Sequence, residues 1–138
     1  MIGLVLVSHG KLAEGLIDAM QMITGPQEAV RAIGLLETED VEGLMDKILA
    51  AIHEVDSGEG ALIMVDLFGA SPFNASARLV LSHPEKQLEV VTGMNLAMVV
   101  ELVVQRAGMS LSEAVELVLQ VAPESVRRLA SIKGLEKS

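Results

Sequence analysis

The chain has 138 residues, of which 51% are hydrophobic and 21% charged, with a formal net charge of −9 and no cysteine. The length suits one domain and the apolar share suits a sizeable buried core, while the missing cysteines exclude disulfides, zinc ribbons and thiol catalysis. The acidic balance and the absence of Trp and Tyr argue against nucleic acid, which asks for a basic surface and for rings on which bases stack.

In chain order, an apolar strand Leu4-Val5-Leu6-Val7 runs into Ser8-His9-Gly10. Leu12, Leu16, Met20 and Ile23 then recur at helical spacing with Glu14 and Asp18 opposite, and Gly25-Pro26 stops that helix. Residues 29–35 read as a second strand, diluted by Arg31 and Gly34. Val41, Leu44, Met45, Ile48, Leu49 and Ile52 form an apolar stripe behind the acidic start Glu39, Asp40 and Glu42. Ser57-Gly58-Glu59-Gly60 is a turn.

Residues 61–66, ending in Asp66, are the plainest strand of the chain. Ser71 as N-cap with Pro72 in the first helical position opens a helix to about Leu81, and Ser82-His83-Pro84 breaks it. Residues 88–92 form a fourth strand, after which Gly93-Met94-Asn95 turns into a helix carrying Leu96, Val99, Val100 and Val103 and closed by Gly108. Ser110 and Glu113 have the spacing of a capping box for one more helix. Pro123 begins a last helical turn or two, and the tail from Lys133 is polar. The first apolar run is short and lacks a basic stretch before it, and no run is long enough to span a bilayer. A soluble cytoplasmic protein is expected.

The β-α alternation predicts an α/β fold over residues 1–138: an open, doubly wound, mainly parallel sheet with helices on both faces. With strand order 2-1-3-4, the topological switch point falls between the strands that end in His9 and Asp66. Those two side chains would then meet in the crevice where such sheets bind ligands.

Each candidate has a plain structural alternative. A strand-end histidine can merely bond a backbone carbonyl, but Gly10 lets the backbone approach a bound group, and the following helix offers free amides to an anion. Asp66 can cap the next loop or hold one imidazole nitrogen protonated and leave the other free to attack. Ser71 can cap its helix or offer its hydroxyl to phosphate oxygens. A Ser71-His9-Asp66 hydrolase is disfavoured, because 69–73 lacks the second glycine of a nucleophile elbow and Pro72 removes a donor from the usual oxyanion hole. No Walker A loop or G-x-G-x-x-G fingerprint occurs. His53 and His83 look structural, and no two histidines have metal-ligand spacing, so neither metal nor cofactor is expected. The methionines read as core filler, except Met94, whose flexible thioether suits a partner surface.

These residues carry a resemblance. Val5-Leu6-Val7-Ser8-His9-Gly10, Leu12-Ala13-Glu14, the run from Val65 through Asp66-Leu67-Phe68-Gly69-Ala70-Ser71-Pro72-Phe73-Asn74, and Val91-Thr92-Gly93-Met94-Asn95-Leu96 together resemble the IIA component of the bacterial phosphotransferase system, mannose/fructose/sorbose type. The resemblance covers essentially the whole chain. It implies a phosphoryl carrier in which His9 is phosphorylated, Asp66 hydrogen-bonds it, and Ser71 lies in the same pocket beside Gly10. It also implies phospho-HPr as donor, a IIB domain or subunit as acceptor, an indirect link to membrane IIC and IID components, and a homodimer. In such a dimer the C-terminal stretch 126–132 would supply an exchanged edge strand. Phe68, Met94 and Asn95 are the expected docking patch. Two other readings stay open: the phosphoryl-relay subunit of a dihydroxyacetone kinase system, and a regulatory module whose partner binding is set by phosphorylation of His9.

Overall fold

The computed structural model describes residues 1–134. Four strands are formed: β1 (Gly3–His9), β2 (Val30–Leu35), β3 (Ala61–Val65) and β4 (Leu88–Val91). They alternate with α1 (Leu12–Thr24), α2 (Val41–Val55), α3 (Ser71–Ser82) and α4 (Leu96–Gln105), and α5 (Leu111–Glu124) and a single 3-10 turn (Leu129–Ser131) follow. The sheet is parallel throughout, in the order β2-β1-β3-β4. Because the strand period is two, β1 and β3 divide their side chains between two cores. Leu4, Leu6, Leu62 and Met64 pack with residues of α1, α4 and α5, whereas Val5, Val7, Ile63 and Val65 pack with α2 and α3. Both central strands are covered on both faces, which is why they read as unbroken apolar runs. The two cores are aliphatic: one phenylalanine is exposed and the other half-buried.

Several boundaries differ from those read in the sequence. β2 starts at Val30 because Ala29 stands at φ 55, a left-handed conformation that no strand residue adopts. Pro123 lies inside the last turn of α5 rather than opening a new one; there its missing N–H removes only one bond before the helix ends. The stretch 126–132 is not a strand. It holds the 3-10 turn, and Val126 and Leu129 are 81% and 60% exposed. Leu12 and Ile23, expected on the buried stripe of α1, are exposed at its two ends, while Met20 between them is fully buried.

The sheet edge where the strands begin is locked by a buried charge. The Arg106 side chain has no exposed surface. Its Nη1 donates to the carbonyls of Ile2 and Ala29, each at 3.1 Å, and its Nη2 donates to that of Glu28. Burial pulls the guanidinium below its ordinary pKa, and Glu28 opposes the shift. The opposite edge, where the strands end, is left to loops.

Candidate functional site

β1 delivers its last two residues to different surroundings. Ser8 is fully buried and His9 is about half exposed, at 53%. The Ser8 hydroxyl donates to the His9 carbonyl (3.0 Å) and accepts from the Ala13 N–H of α1 (2.8 Å). It therefore closes the start of α1, whose N-cap residue Lys11 makes no side-chain cap bond. One amide that the sequence reading left for an anion is thus already taken. Gly10 turns the chain at φ 52 and donates its N–H to the Leu35 carbonyl (3.2 Å). A left-handed residue there favours glycine.

Asp66 follows the end of β3, next to β1 in the sheet. Its side chain is only 12% exposed. Oδ2 accepts from the His9 backbone N–H at 2.8 Å and faces His9 Nδ1 at 2.7 Å. Burial pushes the Asp66 carboxyl up. The His9 N–H, the His9 ring and its charge, and the Leu67 N–H together outweigh it, and the carboxyl ends below its ordinary 3.8. A carboxylate only accepts hydrogen bonds, so the proton between the two groups sits on Nδ1. In the neutral ring Nε2 then keeps its lone pair.

The other expected site residues fall into three groups. Ser71 is not the N-cap of α3. Gly69, at φ 81, turns the chain so that Ala70 takes the extended N-cap conformation, and Ser71 becomes the first helical residue with Pro72 behind it. Its hydroxyl has no hydrogen-bond partner among the described residues. Phe68 is 75% exposed, its ring set against Phe73 with centroids 4.9 Å apart. Met94 and Asn95, by contrast, are occupied by the fold. Met94 is 7% exposed, packs in the core cluster with Leu4 and Met64, and donates its N–H to the Val65 carbonyl. Gly93 at φ 71 sets up that inward turn, so the thioether is not a surface feature. Asn95 caps α4, accepting from the Met98 N–H at 3.0 Å, and donates to the Ser125 hydroxyl at 3.0 Å.

Sequence reasoning missed two features. One is the Ser8 clasp, whose signal was a serine inside an otherwise apolar buried strand. The other is Leu36, 60% exposed just after β2, which with Leu12 and Leu67 puts further apolar surface at the same sheet edge as His9. Among the described residues, no group of three His, Cys, Asp or Glu is placed to hold a metal ion, and no helix is long and apolar enough to cross a membrane.

A parallel 2-1-3-4 sheet with a histidine-carboxylate pair at its switch point defines a class that comparison with known proteins makes specific. The model for the family "PTS system fructose IIA component" matches residues 3–119, and the chain belongs to that family of phosphotransferase-system IIA components. It is 39% identical over 101 residues to the sorbose-specific EIIA component of Lacticaseibacillus casei, covering 73% of this chain and 71% of that protein. It is 37% identical over 105 residues to the mannose-specific EIIAB component of Escherichia coli K12, covering 76% of this chain. The match spans only 32% of that longer protein. Among solved structures, EIIA from Streptococcus agalactiae superposes with a TM-score of 0.88 at 25% identity, covering 96% of this chain and all of that one. The mannose/sorbose-specific IIA subunit from Enterococcus faecalis gives 0.80 at 28% identity, covering 99% and 98%.

Proposed function

We propose that the protein carries a phosphoryl group on His9, taking it from phospho-HPr and passing it to a IIB domain or subunit during sugar uptake. The observation that carries this reading is the 2.7 Å contact between Asp66 Oδ2 and His9 Nδ1 on a ring that is 53% exposed. The Nδ1 side of the imidazole is fixed, and about half of the side chain is open to solvent. In this scheme Nε2 attacks phosphorus in line, and the donor's bond to phosphorus breaks as the Nε2–P bond forms. Onward transfer repeats the exchange with the IIB acceptor.

Positive charge develops on the imidazole as the Nε2–P bond forms, and the Asp66 carboxylate is placed to stabilise it. Catalysis of this kind is mostly positioning and electrostatics. The hydroxyl of Ser71 is assigned to the phosphoryl oxygens and suits that role because no hydrogen bond in the described fold uses it; Gly10, whose N–H is taken by the Leu35 carbonyl, is assigned the role of letting the backbone pass close to the phosphoryl group. The docking surface is assigned to Phe68 with Leu67, Leu36 and Leu12, all exposed apolar side chains at the edge where the strands end. Met94 is left out of it because it is buried. The homodimer belongs to the same reading and is supported by an open, largely apolar groove between α4 and α5, lined by Ile23, Leu96, Val100, Leu117 and Val121. The test is incubation with enzyme I, HPr and phosphoenolpyruvate, then location of any acid-labile adduct by mass spectrometry, then addition of a IIB acceptor. Label on His9 that moves to IIB is the expected result. Label that stays on His9 would favour a regulatory module instead.

A further inference from the structure

The loop 67–70 joins Asp66 to α3, and most of it is solvent-exposed, so packing does little to fix its shape. Two contacts from the first turn of α3 hold its tip. The Phe73 ring lies against Phe68, and Asn74 Nδ2 donates to the Gly69 carbonyl at 3.3 Å. The Asn74 backbone N–H also donates to the Ala70 carbonyl at 2.9 Å. Gly69 is the residue at φ 81 that reverses the chain. At its other end the loop is joined directly to Asp66, which holds both the backbone and the ring of His9. Three residues of chain thus separate the Gly69 carbonyl that Asn74 holds from the carboxylate that holds the imidazole.

We propose that Asn74 is a positioning residue: by holding the Gly69 carbonyl it fixes loop 67–70, and with it the carboxylate that orients His9. Its place in the helix sharpens the point. Asn is a weak helix former, and this one is exposed, so its bond to Gly69 adds little to global stability. Replacement by Ala loses that bond and gains helix propensity, and the two effects offset each other.

The kinetic part of the test rests on the phosphocarrier reading; the spectroscopic part does not. For Asn74→Ala, the midpoint of thermal unfolding is expected to stay within about 2 °C of the wild type. The kcat for phosphorylation by phospho-HPr is expected to fall about tenfold with KM within about twofold, because orientation and not binding is lost. Asn74→Asp has the same size but no N–H to donate, and it is expected to be at least as slow. By NMR, the amides of 67–70 and the His9 Nδ1 proton should exchange faster with water in both variants. Wild-type kcat, or a raised KM alone, would overturn the proposal, the latter making Asn74 a docking contact. A lower kcat with an unchanged Nδ1 proton would overturn it too, since Asn74 would then act on the phosphoryl group itself. A large loss of stability with a wild-type rate per folded molecule would reduce Asn74 to a structural residue. If wild-type protein takes no phosphate, the carrier reading fails, and the Nδ1 and amide exchange rates still decide the role of Asn74.

Discussion

One carboxylate oxygen of Asp66 meets His9 twice: Oδ2 accepts the backbone N–H at 2.8 Å and faces the ring Nδ1 at 2.7 Å. The two contacts tie the end of β1 and the imidazole to the same oxygen, so the ring turns away only by giving up its own bond to Oδ2. The partners come from adjacent parallel strands, β1 and β3, separated by 57 positions in sequence. The sheet order brings them together, and the chemistry assigned to His9 depends on that order.

Asp66→Asn tests the pairing. The amide can still offer an oxygen to one His9 donor, but it carries no charge to stabilise the imidazolium that forms on transfer. Phosphorylation by phospho-HPr should slow by about a hundredfold or more, while unfolding stability falls by only about 1–2 kcal/mol. Stopped-flow transfer kinetics and chemical denaturation measure the two. Transfer at the wild-type rate would remove Asp66 from the mechanism.

The pH dependence follows from the same pair. The Asp66 carboxyl is below its ordinary 3.8 in the folded protein. A lowered folded-state pKa means that its stabilising contribution is complete above the unfolded-state value and disappears as pH falls through the folded-state value. The stability difference between wild type and Asp66→Asn should therefore be fully present at about pH 5 and shrink as pH falls below about pH 4. Urea denaturation across that range reads it directly. A difference that grew as pH fell below about pH 4 would mean that the carboxylate is destabilised by its site.

Phe68 and Met94 separate surface from core. Phe68 is 75% exposed and Met94 is 7% exposed. Phe68→Ala should cost under about 1 kcal/mol of stability, as surface substitutions do, and raise the KM for a protein partner. Met94→Ala should cost about 2–4 kcal/mol through the cavity it leaves, with KM unchanged per folded molecule. Denaturation midpoints and steady-state transfer with phospho-HPr distinguish them.

Much of this architecture was legible in the chain. The four strands stand out because β1 and β3 are apolar on both faces and are bounded by turn residues, and their alternation with amphipathic helices allows few parallel topologies. The placement of His9 and Asp66 at one sheet edge followed from that topology. What was not legible depended on backbone direction at single residues. Gly69 moved the cap of α3 from Ser71 to Ala70, and Gly93 sent Met94 into the core. Nothing in the local pattern of either segment announces which way a glycine will turn. Leu12 keeps helical spacing yet is 50% exposed at the first position of α1, a tertiary fact that periodicity does not contain. The stretch 126–132 has no alternation strong enough to decide its conformation, and it takes a 3-10 turn with Val126 and Leu129 in solvent.

The most direct measurement is the fate of phosphate on His9→Ala beside the wild type, after incubation with enzyme I, HPr and phosphoenolpyruvate. Because the ring is 53% exposed, the variant should fold with wild-type circular dichroism. One acid-labile phosphate on wild-type His9, absent from the variant, is the expected result. An equal phosphate on folded His9→Ala would contradict it.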